Sequence, residues 1–233
     1  MTRTRTRAIK VGLFVTCLLP LAWLAWGAAA GRLGANPIEK ITRETGTWAL
    51  RFVCVTLAVT PVRRLSGWNG VIRFRRMLGL FAFFYACLHL TNFVAVDHFF
   101  AVGEIVKEVV KRPFITFGFA AFTLLLPLAV TSTAGWVRRL GGRRWQLLHR
   151  LVYPAAAAGV VHYWALVKAD TTRPWRYAAI VALLLGVRAS FALPRLRPAA
   201  SPRAPAGPAA GAVGSGSTGS SRRTADTSPR ARG

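Results

Sequence analysis

The sequence predicts an all-α fold, a polytopic membrane helix bundle with about six transmembrane helices. Composition gives the first reason: 53% of the 233 residues are hydrophobic, yet the formal charge is +25. Patterning gives the second, because the apolar residues gather into long runs and the arginines into short clusters between them. Length gives the third. About 20 apolar residues at ~1.5 Å each match a hydrocarbon core of ~30 Å, and a chain crosses that core as a helix because its backbone bonds are then satisfied internally.

The runs fall at 11–30, 47–62, 77–96, 114–134, 147–167 and 175–193, of which 47–62 is the weakest. Ahead of the first lies a basic segment, residues 1–10, with Arg3, Arg5, Arg7 and Lys10. Basic clusters recur at Arg63, Arg64, Arg73, Arg75 and Arg76, and at Arg138, Arg139, Arg143 and Arg144. The excess of Lys and Arg in cytoplasmic loops places all three segments inside the cell, with the N-terminus cytoplasmic and the chain in the inner membrane. The alternate loops hold Glu39, Glu44, Asp97, Glu104, Glu108 and Asp170 and are expected to face the periplasm. A start that is basic, then apolar, then Gly27-Ala-Ala-Ala-Gly31 also fits a cleaved signal peptide, although the apolar stretch is long enough to span.

From Pro194 the composition turns to Pro, Ala, Gly, Ser and Arg without hydrophobic periodicity, which predicts a disordered, basic, cytoplasmic tail over 194–233. Its arginines suit anionic lipid headgroups. A basic chain can also signal nucleic acid, but that function needs a soluble face presenting its cations together, and here they are divided among short loops, so no nucleic-acid partner is expected. No acidic residue falls inside an apolar run, which argues against an ion-coupled transporter. Cys17, Cys54 and Cys87 sit far apart in separate runs with no CxxC pair, the pattern of packing residues.

Polar side chains are costly in a bilayer, so the histidines attract attention. Counted from the cytoplasmic end, His89 lies about 18 Å along the third run and His162 about 22 Å along the fifth. Both runs point outward, so the two imidazoles reach a similar level in the outer half of the membrane. One nitrogen from each of two helices at one height is what the iron of a haem standing between them requires. A plain helix-to-helix hydrogen bond is the alternative use of either residue. His149 lies only about 3 Å from the cytoplasmic boundary and, on an ideal helix, ~20 Å and about 140° from His162, a mismatch that a kink at Pro154 could reduce. It is therefore a candidate for a second haem, another cofactor or packing. His98, beyond the third run, reads as an interfacial residue.

Several stretches carry a resemblance when taken together: Arg73-Phe-Arg-Arg-Met-Leu-Gly-Leu80, Cys87-Leu-His-Leu-Thr91, Lys111-Arg-Pro-Phe-Ile-Thr-Phe-Gly118, Thr131-Ser-Thr133, Arg144-Trp-Gln-Leu-Leu-His-Arg-Leu-Val-Tyr153 and His162-Tyr163. In this order they resemble the MsrQ (YedZ) family of ferric-reductase-like transmembrane proteins over most of 11–193. The resemblance implies heme b, bound FMN, and electron delivery to a periplasmic molybdenum-containing reductase that repairs methionine sulfoxide in oxidised proteins. By motif position it also implies that His89 and His162 are the axial haem ligands and that His149 is a further helix-end histidine.

The function expected is thus an electron-transfer subunit rather than the catalytic subunit of an oxidoreductase. One haem in the outer half leaves the inner half of a ~30 Å core uncovered, so a second carrier near His149 is required. The phosphate of an FMN there would find Arg75, Arg76, Arg143 and Arg144, which serve equally well as topology signals. No GxGxxG or strand-helix alternation follows residue 193, so the expected donor is separate: the quinone pool or a cytoplasmic flavin reductase. The competing functions are a cofactor-free permease or assembly factor, and another ferric-reductase-like carrier.

Overall fold

The computed structural model describes residues 3–167 and 171–192, and every described element is helical. The basic tail over 194–233 and the acidic Asp170 lie outside the described residues. The first helix, α1, runs from Arg3–Ala29 and is crossed by Pro20. Helix α2 covers Pro37–Ser66 and is closed at both ends by local chemistry: Asn36 caps it by accepting from the Glu39 N–H, Pro37 takes the first-turn position, and Gly67 ends it with φ 69°. Helix α3 covers Ile72–Thr91 and passes into a wide turn over Asn92–Asp97. A short amphipathic helix, α4 (Val102–Lys111), precedes α5 (Pro113–Val130). Then come α6 (Ala134–Leu148), broken at Gly141 with φ 73°, α7 (Val152–Leu166) and α8 (Thr172–Ala192).

The segment expected to be the weakest span is in fact the longest helix, 30 residues. Its N-terminal end carries Glu39, Lys40, Arg43 and Glu44, which lowers the hydropathy that a sequence window sees. The pairs Lys40–Glu44 (3.4 Å) and Arg43–Glu39 (2.6 Å) sit one helical turn apart, so these acids extend the helix instead of forming a loop. Half of the α2 spanning window is buried, against 11–17% for the other three candidate spans. A helix enclosed by other helices has less need of an apolar surface than one facing lipid.

Among the described residues four helices are long and apolar enough to cross a membrane: α1, α2, α3 with its flanking turns, and α5. Four such helices are those of a multi-pass membrane protein. The expected fifth run, 147–167, is divided. A tight turn over His149–Leu151 precedes α7 because Pro154 has no N–H to offer the Arg150 carbonyl one turn back. The 15-residue α7 is short for a span, and α8 starts ahead of the sixth run at Thr172, with Arg173 in its first turn and Arg176 and Arg188 within the run.

Helices α2 and α3 form one closely packed pair and α5 and α7 another, with α8 against α2 and α7. An aromatic group joins the first pair: Phe52 lies 5.3 Å from Tyr85 and 5.8 Å from Phe81, ring centre to ring centre. Tyr85, 1% exposed, also inserts its hydroxyl into the α1 ladder, donating to the Cys17 carbonyl (2.9 Å) and accepting from the Leu21 N–H (3.2 Å). Arg188 of α8 satisfies a different backbone defect. Pro61 leaves the Leu57 carbonyl without its helical donor, and Arg188 supplies Nη2 at 2.7 Å and Nε at 3.1 Å. The same guanidinium reaches Tyr153 Oη (3.0 Å) and Thr60 Oγ1 (3.1 Å), tying α8 to both α2 and α7. Cys17 and Cys54 are buried free thiols and Cys87 is half-buried and free, in keeping with packing roles.

Candidate functional site

A cavity of about 1290 Å³ opens between the two helix pairs, above the ~300–1,000 Å³ usual for small-molecule sites. Its walls are mostly apolar, with Leu50 and Val53 from α2, Phe122 and Leu125 from α5, and Ala155 and Ala156 from α7. At one end stand the charged residues of the α2 start and of the segment around Asp97, His98, Glu108 and Arg112. His89 from α3 and His162 from α7 face one another across it, ring centres 6.0 Å apart and ring planes crossed at 74°. The two residues that the sequence set at one depth are therefore brought together by the fold.

Each ring is anchored in the same manner. His89 Nδ1 lies 2.9 Å from the Thr42 carbonyl of α2, and His162 Nδ1 lies 2.6 Å from the Phe114 carbonyl of α5. A carbonyl only accepts, so both Nδ1 atoms carry the proton and each Nε2 keeps its lone pair. An imidazole oriented by such a bond is more basic at its other nitrogen and is fixed in one tautomer, the usual condition of a metal-binding histidine. Asn92 strengthens the α2–α3 contact beside His89 by donating to the Thr42 hydroxyl and the Ile38 carbonyl.

Sequence reasoning missed the residues that let the rings approach so closely. A Cβ added to Gly46 would stand 2.9 Å from His89 Nδ1, and one added to Gly118 would stand 2.9 Å from His162 Nδ1. The available signal was spacing, since each glycine follows the accepting carbonyl's residue by one helical turn. It could be read only once the histidine's partner helix was known.

His149 and the four candidate arginines do not line this cavity. His149 lies at the end of α6, where its Nδ1 bonds the Trp145 carbonyl of its own turn (3.1 Å) and its ring stacks on the Trp145 indole at 3.9 Å. Trp145 is fixed in turn by Nε1 donating to the Thr131 carbonyl (2.9 Å). Of the four candidate arginines, Arg75 is half-buried and within electrostatic reach of His149, Arg188 and Tyr153. Arg76, Arg143 and Arg144 are exposed. His98 packs against Phe93 (4.5 Å) beside the cavity mouth. No cluster of three or more His, Cys, Asp or Glu side chains able to hold a metal ion occurs among the described residues, so any metal here needs ligands beyond these side chains.

Comparison with known proteins agrees with this architecture. Residues 45–160 match the family described as the ferric reductase like transmembrane component. A protein of Herminiimonas arsenicoxydans is 61% identical over 79% of this chain and 85% of its own length. One of Rhodospirillum rubrum is 54% identical over 87% of this chain and 96% of its own, and one of Ralstonia nicotianae 52% identical over 78% and 85%. All three relatives carry the name protein-methionine-sulfoxide reductase heme-binding subunit MsrQ. With identity of this order along nearly the whole length of such relatives, on a helical bundle of ferric-reductase-like type, the chain belongs to the MsrQ family.

Proposed function

We propose that the protein is the haem-binding, electron-transferring membrane subunit of a protein-methionine-sulfoxide reductase system, with His89 and His162 as the axial ligands of one heme b. The observation that carries this reading is the pair of imidazoles facing each other across the cavity, each with Nδ1 bonded to the backbone of a neighbouring helix. The spacing supports it. With ring centres 6.0 Å apart, both imidazoles would reach a single group held between them.

When bound, haem supplies one-electron redox chemistry. The chain supplies the rest. His89 and His162 would hold the iron from α3 and α7, and their Nδ1–H bonds keep both rings in the tautomer with Nε2 free to coordinate. Leu50, Val53, Phe122 and Leu125 exclude water and set a low dielectric around the macrocycle. Packed helices rather than loops carry the two histidines, which would hold the ligand positions with little reorganisation between redox states.

Electrons enter at the cytoplasmic face of the inner membrane, from quinol or a cytoplasmic flavin reductase. They leave at the periplasmic face to a molybdenum-containing reductase of methionine sulfoxide. A second carrier, FMN or another haem, belongs at the inner end, where His149 and Arg75 lie near each other and Arg76, Arg143 and Arg144 add exposed positive charge. The basic N-terminal segment and the acidic outer loops support this orientation, with the N-terminus cytoplasmic.

The test is a reduced-minus-oxidised absorption spectrum of the purified protein, with haem and flavin extracted and counted. A b-type spectrum with at least one haem per chain is expected. A colourless protein would overturn the reading in favour of a cofactor-free membrane function.

A further inference from the structure

Two helices of the bundle contain the same three-part arrangement, and each serves one of the facing histidines. In α2 the Thr42 carbonyl takes the His89 Nδ1–H bond and Gly46 follows one turn later. In α5 the Phe114 carbonyl takes the His162 Nδ1–H bond and Gly118 follows one turn later. In an α-helix the carbonyl of residue i already accepts from the N–H of residue i+4, so each of these carbonyls uses its second lone pair for the imidazole. The ring then has to lie along the groove where the side chain of i+4 would start, and there the chain places glycine. A Cβ at Gly46 would come within 2.9 Å of Nδ1 and 3.1 Å of Cε1 of His89; at Gly118, within 2.9 Å and 3.0 Å of the same atoms of His162. Glycine inside a helix is less favourable than alanine, so its presence at both places calls for a reason. Gly79 and Gly159 show that a glycine in this bundle need not be crowded, since a Cβ at either would make an ordinary 3.7 Å contact.

We propose that Gly46 and Gly118 are positioning residues of the haem site: with the Thr42 and Phe114 carbonyls they form two matched cradles that seat the ligand rings, keep their planes crossed, and set their basicity. The inference rests on the haem reading above and adds to it. A histidine held only by its own side-chain torsions can turn about the bond to iron. A histidine pressed against the backbone of a second helix cannot, and the 74° between the two rings is the angle the two cradles impose. The Nδ1–H···O=C bond raises electron donation from Nε2, which favours the ferric state and lowers the haem midpoint potential.

The consequence can be read on the wild-type protein. Nearly perpendicular axial imidazoles leave the two iron orbitals of π symmetry close in energy, and the frozen ferric protein should give an EPR spectrum dominated by one large-g feature. Parallel planes would give the ordinary three-line rhombic spectrum. Gly46→Ala and Gly118→Ala should each push a ring from its cradle, raise the midpoint potential, and shift the spectrum towards rhombic or high-spin forms. Gly79→Ala in the same α2–α3 contact should behave as wild type.

A rhombic wild-type spectrum would overturn the inference. So would Gly46→Ala and Gly118→Ala proteins that keep the wild-type potential and spectrum at full haem content. Should either variant fail to accumulate, the other variant and the wild-type spectrum decide. Absence of haem from the wild-type protein would overturn the functional reading itself, a result distinct from haem that is bound but insensitive to the glycines.

Discussion

The facing pair His89 and His162 and the separate His149 are held in opposite ways. His89 and His162 each bond the backbone of a different helix, α2 and α5, so their ring positions depend on how the bundle is assembled. His149 bonds the carbonyl of Trp145 in its own turn and stacks on that residue's indole, so its position is fixed locally. The first arrangement brings side chains from two separate helix pairs together in one cavity. The second leaves a helix-end imidazole beside the half-buried Arg75, with no opposing histidine. Equal residue types at helix-compatible depths are thus committed to unequal tasks by what their second nitrogen touches.

The comparison breaks most sharply at the outer pair. His89→Ala or His162→Ala should remove an axial bond that the apolar walls cannot replace, with haem lost or converted to high spin in the absorption spectrum of the purified variant. His98→Ala should match wild type, because His98 packs on Phe93 at the mouth and not across the cavity. Retention of full low-spin haem in both ligand variants would remove the distinction between outer and inner histidines.

Which end is outer is tested next. A reporter fused after Pro113 should read periplasmic and one after Gly142 cytoplasmic, an all-or-none result that follows from the division of charge between loops. A cytoplasmic signal at the first site would invert the direction of electron flow.

The inner end is expected to be more forgiving. His149→Ala should keep the outer haem spectrum intact while slowing haem reduction from a cytoplasmic-side donor, measured by stopped-flow absorbance. Loss of the outer haem in this variant, with His89→Ala and His162→Ala unaffected, would reverse the assignment.

Two smaller effects probe the frame that holds the helix pairs in register. Arg188→Leu leaves the Leu57 carbonyl without a donor, and an unsatisfied buried carbonyl costs about 1–3 kcal/mol. A lower thermal midpoint in detergent is expected, with the haem spectrum unchanged below it. Tyr85→Phe removes the hydroxyl bridge between Cys17 and Leu21, but that N–H and carbonyl are spaced to bond each other within α1. Its cost should be no more than about 1 kcal/mol, and a destabilisation well beyond that would mean α1 depends on Tyr85 for its attachment.

Amphiphilic contrast alone determined the class of this protein. Apolar runs of membrane length separated by arginines admit only helices, and the depth of His89 and His162 followed from helix rise without any contact being known. Local chemistry sets the ends of α2 at Asn36-Pro37 and Gly67, yet the run expected over 47–62 reached neither. The length of α2 was not legible, because hydropathy records composition, whereas enclosure by neighbouring helices decides whether polar residues are tolerated there. Nor was the break before α7, where ideal-helix arithmetic cannot foresee how far Pro154 shifts the turn at His149–Leu151. The cradles were invisible for a related reason. Gly46 and Gly118 are ordinary glycines in helical runs until α3 and α7 bring a histidine against each, and only tertiary structure states which helix faces which.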